Sequence, residues 1–174
     1  MHNKVRIELN RVLLRRLIFG AGLVAVAVLQ NTPGVLPSLF GVRAVPLVPA
    51  VVCVAMFERE RAGVLYGLFA GLLWDICGGF GGNFNAILLT VVGFACGSLI
   101  THLMRNNLVT ALLLGTGAAL LHQSVYWARV YLFGLGLAGG VSLFTFYLPS
   151  CVYTMLWLPV FYFPVRTAMK RMTK

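Results

Sequence analysis

Acidic residues are almost missing from this chain. Its 174 residues include one aspartate, Asp75, and three glutamates, Glu8, Glu58 and Glu60, and charged residues of both signs make up only 10%. Soluble domains carry about 25%. With 60% hydrophobic residues, a water-soluble protein of this size would expose large apolar patches. The composition therefore makes lipid the solvent for most of the chain and predicts an integral membrane protein.

Residue sets that carry catalysis are equally scarce. Intramembrane aspartyl proteolysis needs two aspartates and the chain has one. It contains no H-E-x-x-H zinc motif and no phosphate-cradling P-loop. Gly140-Val141-Ser142-Leu143 lacks the second glycine of a nucleophile turn. Ser124 lies two residues from His122, a spacing that points them to different faces of a helix. The four cysteines (Cys53, Cys77, Cys96, Cys151) stand singly in apolar segments, with no C-x-x-C pair, and read as small packing residues. The expectation is a protein that is not an enzyme and holds no metal or cofactor.

The net charge of +10 does not predict a nucleic-acid partner, because no basic patch is interleaved with base-stacking aromatics. Positive residues gather instead at the two ends and in short loops. Apolar runs of transmembrane length fall at about 17–37, 42–57, 62–80, 85–104, 108–127 and 142–164. The second is short, carries Pro46 and Pro49, and borrows residues from 38–43. Segment 128–140 is glycine-rich and reads as an outer loop or re-entrant piece. The basic start followed by an apolar run and Ala25-Val26-Ala27 imitates a signal peptide. Because further apolar spans follow, an uncleaved first helix is the better reading.

Six spans place both termini on one side. That side receives Lys4, Arg6, Arg11, Arg15, Arg16, Arg59, Arg61, Arg105, Arg166, Lys170, Arg171 and Lys174; the other receives only Arg43 and Arg129. The positive-inside rule then makes both termini cytoplasmic. The expected organisation is a basic tail (1–16), a six-helix all-α membrane domain (17–164) and a basic tail (165–174). The N-tail is suited to lying on an anionic leaflet as an amphipathic segment. "ERER" (58–61) reads as a solvated turn with local ion pairs. Tyr126, Trp127, Tyr131 and Phe133 outside, and Phe161, Tyr162 and Phe163 inside, read as aromatic belts. Pro149, Pro159 and Pro164 should kink the last span.

The third span carries the most information. Gly63, Gly67, Gly71 and Asp75 follow one another at four-residue spacing, and Gly93 and Gly97 repeat the pattern in the fourth. Small residues let helix backbones approach closely, where packing must replace the missing hydrophobic effect. The stripe predicts a helix-packing or partner-binding seam that ends in the sole aspartate. Asp75 lies fourteen residues beyond Arg61, roughly 21 Å up a ~30 Å hydrocarbon core. His122, Gln30 and Asn31 fall at similar depth, and Asn83 and Asn85 open the fourth span. These six residues are expected to form one polar layer in the outer half of the membrane. An unpaired aspartate at a helix centre costs about 2.5–3.5 kcal/mol on insertion scales, so Asp75 should face the bundle. Its donors should be His122, the asparagine amides or the first N–H groups of the fourth helix. Whether the layer is structural, binds a ligand or proton, or docks a partner stays open on sequence alone.

A first span ending "VLQNTPG", a short proline-bearing second span and the block "GLFAGLLWDICGGFGGNFNA" resemble the rod shape-determining protein MreD family. The family's G-x-x-x-G-x-x-x-D pattern, glycine turn and small-residue helix start fall on Gly67, Gly71, Asp75, Gly79 and Ala86. "WLPVFYFPVRTAMKR", with Trp157, Pro159 and Arg166, resembles the family's last span and basic tail. The resemblance implies a non-enzymatic component of the bacterial inner membrane that binds MreC, a single-span protein with a periplasmic domain. It implies a place beside MreB, RodA and a class B penicillin-binding protein in the elongation machinery, which directs lateral peptidoglycan synthesis and rod shape. The family's fold is similar to the substrate-binding subunits of energy-coupling-factor vitamin transporters, which supplies the alternative function. Their A-x-x-x-A coupling pattern has a match at Ala21 and Ala25.

Overall fold

The computed structural model describes residues 2–36, 42–78, 84–130 and 147–172. Among these the architecture is all-helical, with no strand: α1 (His2–Asn31), α2 (Leu47–Gly78), α3 (Phe84–His102), α4 (Leu108–Val130), α5 (Leu148–Leu156) and α6 (Leu158–Met172). Four stretches, Asn10–Asn31, Phe84–His102, Leu108–Arg129 and Leu148–Arg171, are each long and apolar enough to cross a membrane. Their outward faces are apolar, with Leu17, Ile87, Val109 and Val152 largely exposed, and so is that of α2, with Leu65 and Ile76 exposed. In lipid, where helices lack a hydrophobic drive to associate, such faces need no partner.

α2 is two arms joined at Arg59, whose φ of 68° and ψ of −175° break the helix. The chain reverses there: Ala55 lies 3.1 Å from where a Cβ on Gly63 would stand. Residues eight apart in a straight helix are ~12 Å apart. The arms fall on the two apolar runs expected at 42–57 and 62–80, and the reversal falls on "ERER".

This bend corrects the reading of "ERER" as a solvated turn. The Glu58 side chain is only 3% exposed and forms an ion pair with Arg15 of α1, whose Nη2 also donates to Oε2 at 3.2 Å. Glu58 is thus buried under α1 and paired across helices, because the reversal tucks it inward. Glu60 points the other way, with its carboxylate 3.6 Å from His102.

The first arm of α2 is the centre of the bundle. Leu47, Val51, Val52, Cys53 and Ala55 are fully buried, and α1, α3, α4 and α6 pack around the two arms. Pro46 and Pro49 are buried as well, at the start of the helix where proline's missing N–H removes no helical bond. α1 runs unbroken from His2 to Asn31. The last apolar run is divided at Trp157, and Pro159 sits in the first turn of α6. Tyr162, expected in an aromatic belt, is instead 1% exposed and packs on Phe57 at 5.6 Å between centroids. Phe163 beside it is half exposed. Tyr131 and Phe133 lie outside the described residues.

Candidate functional site

The glycine stripe sets the position of everything else. A Cβ on Gly67 would strike the Leu89 carbonyl, and one on Gly63 would lie 2.5 Å from the Gly93 oxygen. A Cβ on Gly71 would strike Ala86 and stand 2.7 Å from its nitrogen; one on Gly97 would stand 2.7 Å from Glu60 Cα. Each turn up the second arm of α2 is therefore matched by a turn down α3, in antiparallel backbone contact. All five glycines expected to form a seam lie in this one interface, so the face they make is covered from within the chain.

One turn beyond Gly71, the seam ends in a hydrogen-bonded clamp. Asp75 Oδ1 accepts from the Asn85 backbone N–H at 3.2 Å and from Asn85 Nδ2 at 2.9 Å. Asp75 Oδ2 accepts from the Ala86 N–H at 2.9 Å. The first N–H groups of a helix have no intrahelical acceptor, and a carboxylate there meets the positive end of the helix dipole. Asp75 thus caps α3 from a different helix. Only the glycines below it allow the backbones close enough for this.

The clamp fixes the next residue in turn. Asn85 Nδ2 faces a carboxylate, which can only accept, so Asn85 Oδ1 must be the atom 3.2 Å from His122 Nε2. His122 Nε2 is then the N–H donor, and in the neutral ring Nδ1 is a bare acceptor. His122 is 3% exposed, and its Nδ1 is buried with no hydrogen-bond partner. The ring is stacked between Trp74, at 4.8 Å, and Tyr126, at 6.5 Å.

Beside the clamp lies a cavity of about 590 Å³. Gln30, Asn31, Asp75, Asn85 and His122 all line it, so five of the six residues expected in one polar layer share one space. Asn83 lies outside the described residues. Gln30 Oε1 accepts from Leu47 N–H at 3.0 Å, tying α1 to the start of α2, and Asn31 Nδ2 donates to the Ala27 carbonyl at 2.8 Å.

The cavity also holds residues that the sequence did not single out. Gln123 Nε2 donates to Ser150 Oγ at 2.7 Å, and Ser150 donates to the Arg43 carbonyl at 2.8 Å. Thr154, away from the cavity lining, accepts through Oγ1 from Val45 N–H at 3.0 Å. These bonds anchor residues 43–45 to α5. Arg43, Arg129 and Tyr147 complete the wall. Gln123 beside His122 was a visible signal; Ser150 and Thr154 were not, because hydroxyls are ordinary in membrane helices.

The two ends of the bundle differ in charge. Arg15, Arg59, Arg61, Arg105, Arg166, Lys170 and Arg171 belong to the end where α2 bends, whereas the cavity end carries only Arg43 and Arg129 among the described residues. No three His, Cys, Asp or Glu side chains converge as a metal site among the described residues.

No family model, curated protein or solved structure matches the chain.

Proposed function

We propose that this protein is an MreD-type, non-enzymatic subunit of a bacterial inner-membrane complex. Six membrane crossings, with the two arms of α2 as the second and third, put both termini and the α2 bend in the cytoplasm. The cavity then opens in the outer half of the membrane. Its partner is a single-span protein of the MreC kind, within an assembly that includes RodA, a class B penicillin-binding protein and MreB and supports lateral peptidoglycan synthesis.

The observation that carries this reading is the Asp75 cap on Asn85 and Ala86. The residues that carry the resemblance, Gly67, Gly71, Asp75 and Ala86, converge at one joint, so the motif has a physical purpose in this chain. That purpose is to set the register of α2 against α3, which suits a scaffold rather than a catalyst. Since the glycine seam is used internally, the partner's helix must sit on an outward face.

The cavity favours a second reading, in which the chain is the small-molecule-binding subunit of an energy-coupling-factor-type transporter. Its volume lies in the range of ligand pockets, about 300–1,000 Å³. Affinity purification of the full chain from its native membrane separates the two. A single-span protein with a large extracytoplasmic domain supports the first reading. ATPase subunits in its place support the second.

A further inference from the structure

The cavity contains more hydrogen-bonding capacity than the bundle uses. Asp75 is occupied by three N–H donors. Gln30 spends its oxygen on Leu47, Asn31 its nitrogen on Ala27, and Gln123 its nitrogen on Ser150. Among the described residues the other halves of these amides bond to nothing. That leaves Gln30 Nε2 as a donor and Asn31 Oδ1 and Gln123 Oε1 as acceptors in the wall. His122 Nδ1 is a third acceptor, buried and unpartnered. A site offering donors and acceptors side by side matches hydroxyl groups, which both donate and accept.

Charge defines the rest of the ligand. Arg43 is exposed, lines the cavity, and has no acceptor among the described residues. Arg129, 5.3 Å over the Phe84 ring, adds a second positive charge to the same wall. Asp75 is already occupied by its three N–H donors, and the Arg43 guanidinium offers a planar fork suited to a phosphate. Arg43 and Arg129 are also the only cations at this end of the bundle among the described residues.

We propose that the cavity binds a polyol phosphate ester, with its phosphate at Arg43 and its hydroxyls among Gln30, Asn31, Gln123 and His122. The ester can be the head group of a glycerol-bearing phospholipid or a soluble polyol phosphate; both present the same groups.

The test is native mass spectrometry of the detergent-purified full chain with phosphatidylglycerol, phosphatidic acid and phosphatidylcholine, each with and without glycerol 3-phosphate. Phosphatidylglycerol should be retained about tenfold more tightly than the two lipids that lack hydroxyls, the effect expected of one or two satisfied hydrogen bonds. Arg43→Gln should remove about tenfold of that affinity, and Arg43→Lys, which keeps the charge without the planar fork, should fall between the two. Arg43 makes no side-chain bond among the described residues, so neither variant should move the melting point of the ligand-free chain. Displacement by glycerol 3-phosphate assigns the site to a soluble ester; retention against it assigns the site to the lipid. Equal retention of the three lipids, no retention of any phosphate ester, or indifference to Arg43→Gln would each overturn the proposal.

Discussion

Asp75 and Ala86, eleven residues apart, are joined by a 2.9 Å hydrogen bond from the Ala86 backbone N–H to the Asp75 carboxylate. With the Asn85 bonds, this makes a helix cap supplied from the neighbouring helix. Removing it should cost stability, because the first amides of α3 and the Asn85 side chain lose their acceptor at once. Asp75→Ala should destabilise the purified protein by about 1–3 kcal/mol. Asp75→Asn, which keeps one acceptor oxygen, should fall between it and the wild type. Thermal unfolding in detergent checks the order, and an unchanged melting point for Asp75→Ala would remove the cap from the account.

Glycine positions divide into two classes. Gly67→Ala would drive a methyl into the Leu89 carbonyl, which is backbone and cannot rotate away. Gly117 has open space around it. Gly67→Ala and Gly71→Leu should therefore lose most folded protein in a fluorescence size-exclusion assay, while Gly117→Ala leaves the profile unchanged. Their effect on partner capture should follow the effect on folding.

The Arg15–Glu58 pair joins α1 to the α2 bend with Glu58 nearly out of contact with solvent. Glu58→Ala leaves the Arg15 charge without its partner. Breaking a buried pair costs about 3–5 kcal/mol, and the 19% exposure of Arg15 places this one at the low end. Arg15→Ala/Glu58→Ala should be more stable than the sum of the single losses, which a double-mutant cycle by thermal or denaturant unfolding reads directly.

Arg59 holds a backbone conformation, φ 68° and ψ −175°, that is nearly confined to glycine and costs other residues about 1–3 kcal/mol. Its side chain is exposed. Arg59→Gly should raise stability by about 1 kcal/mol, and Arg59→Val should lower it. A glycine variant no more stable than the valine variant would mean that the bend is held in another way.

Much of this arrangement was legible because lipid imposes simple bookkeeping. A lone aspartate needs donors, and depth along each span indicated which polar residues could reach it. That reasoning brought Asp75, Asn85, His122, Gln30 and Asn31 to one cavity. It failed where a residue's partner depends on a bend: Glu58 looked solvated because "ERER" is locally polar, and only the reversal at Arg59 turns it under α1. Tyr162 looked like a belt residue because aromatic clusters are common at interfaces; its burial against Phe57 depends on how α6 crosses the first arm of α2. Arg43 was read only as a topological charge, since nothing local shows that Ser150 and Thr154 anchor its segment beside the clamp.

Partner docking and the polyol phosphate site both require α2 to cross the membrane twice and the cavity to open outward. Thiol labelling tests this most directly. In a chain whose four cysteines are replaced by alanine, Arg43→Cys and Arg59→Cys are exposed singly to a membrane-impermeant maleimide on cells with a permeabilised outer membrane. Labelling is expected at position 43 from outside, and at position 59 only after the inner membrane is broken. Equal labelling of the two positions from outside, or labelling of 59 alone, would contradict it.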